Sequence, residues 1–569
     1  MSDEPNAILH PELVFGIAGP IGIDIDAISQ TLAQALQAVD YQTVNIRITS
    51  EIDEETTDIA KSKGNDYEAV MSYKMDHASE VCRRYGSPDT LMRFAMRAIR
   101  QHRASVYPPI SGEEPAEALP PEERVIAKTA YLVRQLKRPE EVDLMRKVYG
   151  RQFVLISAYG SAESRKRIIE QKLKRSLQLD VPDHEISAKA DKLMHRDMNE
   201  DGDAHGQHLR ETFHRADVFI DGIHKEEMEA KTVRFVEALF GKADIAPTKA
   251  EYGMYAAKSA SLRSSDLSRQ VGAAIFTSDG ELITQGCNEV PKAFGGTYWD
   301  GEEPDHRDIK MGHDPNDLLK REVIRDLMER LQRGGMLSQE ARNIGSSAQI
   351  VDRLTQKPTS TPQIGEGALY GAQITDLTEY GRVVHAEMCA ICDAARLGRS
   401  IKGATLYCTT FPCHNCTKHV LAAGISKVVY MEPYPKSKAK ELHENEIEIE
   451  QETGGRVAFL PFLGISPYRY RDIFQKGRRK KGGLALQWYE EIPRPMIDVP
   501  VPTYVDLETW EYGLLLGQFK SGGAPIIETD RPAASQSEAG SATSDAPQGN
   551  GLGARLGATM KNIFKQDKE

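Results

Sequence analysis

One pattern constrains this chain more than anything else in its 569 residues: His385-Ala386-Glu387, followed by Pro412-Cys413-His414-Asn415-Cys416. If one histidine and two cysteines are to hold one ion, the chain between them must leave and return. The spacing of apolar residues supplies the means: a helix over 383–397, a strand over 405–409, a helix over 413–423 and a strand over 427–431. Three protein ligands leave a fourth tetrahedral position free, which is the arrangement of a catalytic Zn2+ and not of a closed structural one. Both cysteines fall in the first turn of a helix, where unpaired backbone N–H groups favour thiolates. Pro412 suits the entry to that helix, where a missing N–H costs little. Glu387, two residues past His385, does not share its helical direction. It is therefore read as the catalytic proton carrier facing the fourth position, with His385, Cys413 and Cys416 as the metal ligands and one Zn2+ per protomer.

Cys389-Ala390-Ile391-Cys392 offers a second CxxC, and with Cys413 and Cys416 it imitates a four-cysteine zinc ribbon. Val384, Met388, Ile391 and Ala395 recur at helical spacing through it, with no Gly or Pro to form the knuckle a ribbon needs. Cys389 and Cys392 are read as core cysteines.

The rest of the chain is organised around this motif. An α/β unit runs from Pro11 to about Phe240, with buried strands at 13–19, 152–157 and 216–220 and helices at 26–36, 91–100 and 125–136. Residues 241–247 read as a linker. Residues 270–277 and 281–286 form a hairpin across Ser278-Asp279-Gly280. The polar stretch from about 295 to 380 reads as loop apart from a helix over 318–331. His306, His313, Asp305, Asp308 and Asp314 cluster there without a cysteine, so a second metal is not expected. Residues 521–551, rich in Ser, Ala, Gly and Pro, read as disordered, and Leu556, Met560, Ile563 and Phe564 beyond them as frayed tail in preference to a docking helix. The expected organisation is thus 1–245, 246–490 and a C-terminal extension over 491–569.

The metal motif has the H-x-E…P-C-x-x-C form of zinc nucleobase deaminases. From Ala256 to about Tyr434, including Arg269-Gln270-Val271-Gly272-Ala273 and Gly286-Cys287-Asn288-Glu289-Val290-Pro291, the chain resembles the cytidine/deoxycytidylate deaminase superfamily. The resemblance implies an α/β/α fold and a sugar contact for Asn288, with Ser268 and Arg269 as further substrate-binding candidates near phosphate. Read without it, Asn288 is a turn residue and Arg269 a solvated charge. From Leu13 to Trp488 the chain resembles, more narrowly, the bacterial anti-phage dCTP deaminases, in which a P-loop kinase-like domain precedes the deaminase. Leu136-Lys137-Arg138-Pro139-Glu140-Glu141 and Glu432-Pro433-Tyr434-Pro435-Lys436-Ser437 also carry that likeness. It implies deamination of free dCTP or dCMP, homo-oligomerisation, and control by a phage signal that in some members acts through a small inhibitory RNA.

The P-loop itself is degenerate. Gly16 to Asp26 lie after a strand and before a helix, where a phosphate loop belongs. Aligned on Gly19, with Gly22 inside the loop, Ile25 stands at the lysine position and Asp26 at the Ser/Thr position, with Asp24 beside them. Isoleucine cannot neutralise phosphate, and the aspartates repel it, so phosphoryl transfer is not expected. Scaffolding and nucleotide sensing, the latter with His195-Arg196-Asp197 and Gly206-Gln207, both remain open.

A net charge of −12 argues for a small substrate over a nucleic-acid polymer, which demands a basic surface. A deaminase acting on cytosine or adenine in RNA or single-stranded DNA is the rival enzyme, and a regulator with a vestigial site the rival of another class. The run Lys476-Gly477-Arg478-Arg479-Lys480-Lys481 is read as a solvated loop. Seven cysteines, three in or near the metal motif, suit a reducing cytoplasm. The acidic N-terminus does not read as a signal peptide, and no apolar run approaches a membrane span.

Overall fold

The computed structural model describes residues 9–61, 65–107, 119–177, 181–200, 203–357, 367–377, 380–434, 436–488, 493–497 and 503–517. Five strands from the first half, β1 (Leu13–Ala18), β2 (Gln42–Arg47), β3 (Thr129–Arg134), β4 (Phe153–Tyr159) and β5 (Val218–Asp221), pair in parallel in the order β5-β4-β1-β3-β2. β1 and β3 are buried along their whole length. Helices cover both faces, as a parallel sheet requires.

β3 corrects the sequence reading. The run 125–136 was expected as a helix, but Thr129–Arg134 lies between β1 and β2 as a central strand. A short run buried at every position carries no period that separates a buried strand from a buried helix. β2, with Gln42, Thr43 and Asn45 at a half-exposed edge, has too little apolar alternation to announce itself.

The second sheet takes β6 (Gly272–Phe276), β7 (Leu282–Cys287), β8 (Thr405–Thr410), β9 (Lys427–Glu432), β10 (Ile447–Ile449) and β11 (Val457–Pro461) in the order β10-β11-β9-β8-β6-β7. β6 and β7 form the expected antiparallel hairpin, while β8, β9, β11 and β10 run parallel. Two glycines let helices lie against this sheet. A Cβ at Gly272 would sit 1.9 Å from the Ala257 carbonyl oxygen, and one at Gly286 2.6 Å from both Ala386 O and Ala390 N. The polar stretch is more ordered than its composition implied. The helix Pro315–Arg333 packs with Ser347–Leu354 around Ile324, Met328, Ile350 and Val351.

Residues 1–520 fall in one compact unit; among the described residues, links between its two sheets include a short strand and Glu251, and a C-terminal helix docks on the first half. β12 (Gly464–Ile465) leaves the second sheet and pairs antiparallel with β5, covering that edge. Glu251, fully buried, closes the capping box of the helix Lys249–Ser261 and receives both guanidinium branches of Arg234 at 2.7 and 2.8 Å. The helix Tyr504–Leu515 brings Glu508 onto Arg103, which also holds Glu12; all three are buried. The segments 521–551 and 556–564 lie outside the described residues. No helix among the described residues is long and apolar enough to cross a membrane.

Candidate metal and substrate site

The two halves of the motif meet because each sits at a helix N-terminus on the same side of the second sheet. His385 is the N-cap of Ala386–Arg396, and Cys413 the N-cap of His414–Ala422, with Pro412 just outside it. An antiparallel bridge between Val384 and Glu289 fixes the approach of His385 to the end of β7. Gly286 then admits the helix backbone to contact with the strand.

His385 Nδ1 lies 3.4 Å from the sulfur of Cys413 and 3.4 Å from that of Cys416. An imidazole nitrogen and a thiolate sulfur that share one tetrahedral Zn2+ are about 3.6 Å apart. The three donors lie within 4.8 Å of one another, the one such cluster among the described residues. Donor chemistry agrees with spacing. The Cys413 thiol is held down at about 4, first by a hydrogen bond from Cys416, with the His385 ring assisting against burial. Cys416, which supplies that proton and is itself buried, is pushed well above the thiol range. The pair thus holds a single proton before any metal arrives, and displacing it would complete a site of two thiolates and one imidazole. The residues fit Zn2+.

Cys389 is buried in the core and Cys392 is exposed, and neither joins the cluster. Nor do the residues of the polar stretch. Asp305 is taken by Arg307, Asp308 by Arg382, and His313 Nδ1 by the Met311 carbonyl oxygen.

Glu387 is 4 % exposed and points into the same place, within hydrogen-bonding reach of the Cys416 thiol. Burial raises its carboxyl above the ordinary range, which suits a group that must both take and give a proton. It lines a cavity of about 250 Å3 with His385, Asn288, Phe411 and Tyr434.

Asn288 is buried at the cavity wall and stitches the loop before β6 to the end of β7. Its Oδ1 accepts from Val271 N–H at 2.7 Å, and its Nδ2 donates to the Arg269 carbonyl oxygen at 2.7 Å. One amide hydrogen and one lone pair remain for a ligand. Asp266 turns the same loop by accepting from the backbone N–H of Ser268 and Arg269. Ser268 lines the cavity, and Arg269 pairs with Glu432 at 2.9 Å while lying over the Tyr434 ring.

The sequence reading missed part of the wall. Arg382, Asp314 and Asn316 also line the cavity, with Arg382 anchored by Asp308. Asp314 and Asn316 belong to the polar stretch, and nothing in its sequence marks which residues turn inward. The cap at Asp314, followed by Pro315 at the first helical position, is the one local signal available.

The degenerate loop lies in the first sheet, away from this cavity. Asp24 caps the helix Ile25–Gln37 through Ala27 N–H, Ile25 is buried, and Asp26 is paired with Arg134 and Arg47. Gly22 has φ +98° and faces the Arg165 backbone. Asp197 and Gln207 line the cavity at this loop; Arg196 pairs with Asp76 and Glu200 instead, and neither His195 nor Gly206 is on its wall.

Residues 247–432 match the family described as the cytidine and deoxycytidylate deaminase zinc-binding region, so the chain carries a cytidine/deoxycytidylate deaminase domain. Over 55 residues it is 53% identical to the deoxycytidylate deaminase of Enterobacteria phage T4, covering 10% of this chain and 28% of that protein. Over 53 residues it is 43% identical to ComE operon protein 2 of Bacillus subtilis (strain 168), 9% of this chain and 28% of that one. The human deoxycytidylate deaminase matches at 39% over 54 residues, 10% and 29% of the two chains. The matched stretches span under a third of these relatives' own length. Among solved structures, the dCMP deaminase from cyanophage S-TIM5 in complex with dCMP and dUMP aligns at 18% identity and a TM-score of 0.20, over 38% of this chain and 98% of that one.

Proposed function

We propose that this chain, with its deaminase domain as the working part, hydrolytically deaminates free deoxycytidine nucleotides, dCTP or dCMP, to the corresponding deoxyuridine nucleotides. The observation that carries the reading is the meeting of His385, Cys413 and Cys416 at zinc spacing beside a buried Glu387 whose carboxyl is raised by burial. Zinc in this site would supply Lewis acidity that makes a nucleophile of water near neutral pH. The chain's own residues do the remainder. Water adds at C4 of cytosine while Glu387 takes one of its protons and gives it to the ring nitrogen. A second transfer through Glu387 protonates the amino group, which leaves as ammonia as the C4 carbonyl forms. Asn288, rigid through its two backbone bonds, offers its remaining amide hydrogen and lone pair to the sugar. Ser268 and Arg269, which line the same cavity, are the residues this reading assigns to the phosphate.

A free nucleotide suits the cavity better than a polymer. Asp266 and Asp314 line it, with Asp308 just behind Arg382, and such carboxylates would repel a continuous phosphate backbone. The net charge of −12 acts in the same direction.

The wider reading is a cytoplasmic homo-oligomer in which a degenerate P-loop kinase-like half, residues 1–245, scaffolds and gates the deaminase over 246–490, with 491–569 as a C-terminal extension. Its use would be to drain dCTP from a replicating phage, under a control to which a small RNA is the candidate partner. Support for this comes from the likeness to anti-phage deaminases and from the unusable Ile25 and Asp26 positions.

The test compares kcat/KM for dCTP, dCMP, deoxycytidine, and cytosine in single-stranded DNA and RNA. A free deoxynucleotide should lead by orders of magnitude. Preference for either polymer would overturn the proposal.

A further inference from the structure

A cavity lies at the carboxyl ends of β1 and β3, where ligands of open parallel sheets collect. It has a volume of about 460 Å3, within the range of small-ligand pockets. Six cationic side chains line it, Arg47, Lys74, Arg134, Lys137, Arg138 and Lys172, against three aspartates, Asp24, Asp26 and Asp197. In a chain of net charge −12 that excess is local and specific.

Not all of this charge is free. Asp26 takes Arg134 and Arg47, and Arg138 is spent on the buried Glu141 behind the wall. Asp197, 1 % exposed, accepts from the Ile21 backbone N–H at 2.7 Å and from Lys137 Nζ at 2.7 Å; Lys137 also donates to the Gly19 carbonyl oxygen. The loop amide and the lysine that would otherwise face a phosphate are therefore closed on an internal carboxylate. Lys74 and Lys172 are exposed at the mouth and pair with no carboxylate among the described residues. Lys172 lies 5.6 Å from the Tyr67 ring, and Tyr67, Met71 and Met75 form an apolar wall beside it.

We propose that this cavity binds a nucleoside polyphosphate, held by the rim lysines Lys74 and Lys172 and packed by its base against Tyr67 and Met71, without a metal ion and without turnover. The wall supplies a flat apolar surface of the kind a base needs, and two unpaired ammonium groups supply the counter-charge for a phosphate chain. The loop position that holds Mg2+ in a working P-loop carries no hydroxyl here: Asp26 stands there and is committed to ion pairs, Asp24 caps a helix and Ile25 is buried. The site is bound, not used. It is independent of the deaminase reading.

The experiment is calorimetric titration of the full chain, in EDTA, with ATP and with inorganic tripolyphosphate, neither of which carries cytosine. ATP should bind once per chain without Mg2+, and tripolyphosphate about tenfold more weakly or worse because it cannot use the Tyr67 wall. The Lys74→Glu, Lys172→Glu double variant, altered only at exposed positions, should lose about tenfold or more in affinity for both. Unchanged affinity in the double variant, binding that appears only with Mg2+, or hydrolysis of ATP would overturn the site. Equal affinity for the two probes would overturn the nucleoside part of the assignment.

Discussion

Arg234 and Glu251 face each other across the two halves of the chain, joined by two hydrogen bonds of 2.7 and 2.8 Å, with the glutamate wholly buried. The same carboxylate receives the Thr248 and Ile465 backbone N–H groups. Removing one partner of a buried pair leaves an uncompensated charge, which costs about 3–5 kcal/mol. A chain begun at Ala246 should therefore be markedly less stable than the full protein, and Arg234→Ala in the full chain should lower its denaturation midpoint in the same direction. An unchanged midpoint in Arg234→Ala would show that the pair does not hold the halves together.

Arg103 makes a parallel case at the other end. It is buried between Glu12 and Glu508, so its loss strands two carboxylates at once. Arg103→Ala should destabilise the chain by about 3–5 kcal/mol, read by urea unfolding, and detach the helix Tyr504–Leu515, read by its proteolysis. A variant with the wild-type midpoint and no new cleavage would refute this.

The zinc ligands were legible because their chemistry demands a fixed spacing, and helix N-termini at His385 and Cys413 are the only economical way to meet it. The hairpin around Gly280 was legible for the same reason: its turn and its alternation are local. β3 was not, since Thr129–Arg134 is buried on both faces, and its identity is set by β1 and β2 on either side. Arg382 and Asn316 were invisible because a long polar stretch folds back over the cavity through contacts far apart in sequence. The role of Asp197 was equally hidden, for its partners Ile21 and Lys137 lie 176 and 60 residues away.

The metal assignment predicts that Cys413→Ala and Cys416→Ala each lose tightly bound zinc, while Cys389→Ala keeps one per chain. Elemental analysis decides it. Full zinc in the double variant, or loss in Cys389→Ala, would refute the ligand set in favour of none or of the four-cysteine alternative.

Gly286 predicts an effect at a residue that touches neither metal nor substrate. A Cβ there would press on Ala386 O and Ala390 N at 2.6 Å, both backbone atoms that cannot swing aside. Gly286→Ala should displace the helix carrying Glu387 and reduce turnover about a hundredfold, with secondary structure retained by circular dichroism. Wild-type turnover would show that the close approach does not set the site.

Glu387→Gln should keep fold and zinc while turnover falls by about 10²–10⁴-fold, the usual weight of a general acid–base group. Retention of near wild-type rate with full zinc would remove Glu387 from the mechanism.

The central claim is that zinc in the His385, Cys413 and Cys416 site drives deamination of a free deoxycytidine nucleotide. It is tested most directly by measuring deoxyuridine product from dCTP and dCMP with protein reconstituted to graded zinc content. The predicted result is a rate that rises in proportion to zinc and reaches its limit at one per chain. A fully zinc-loaded chain that converts neither nucleotide would contradict the account.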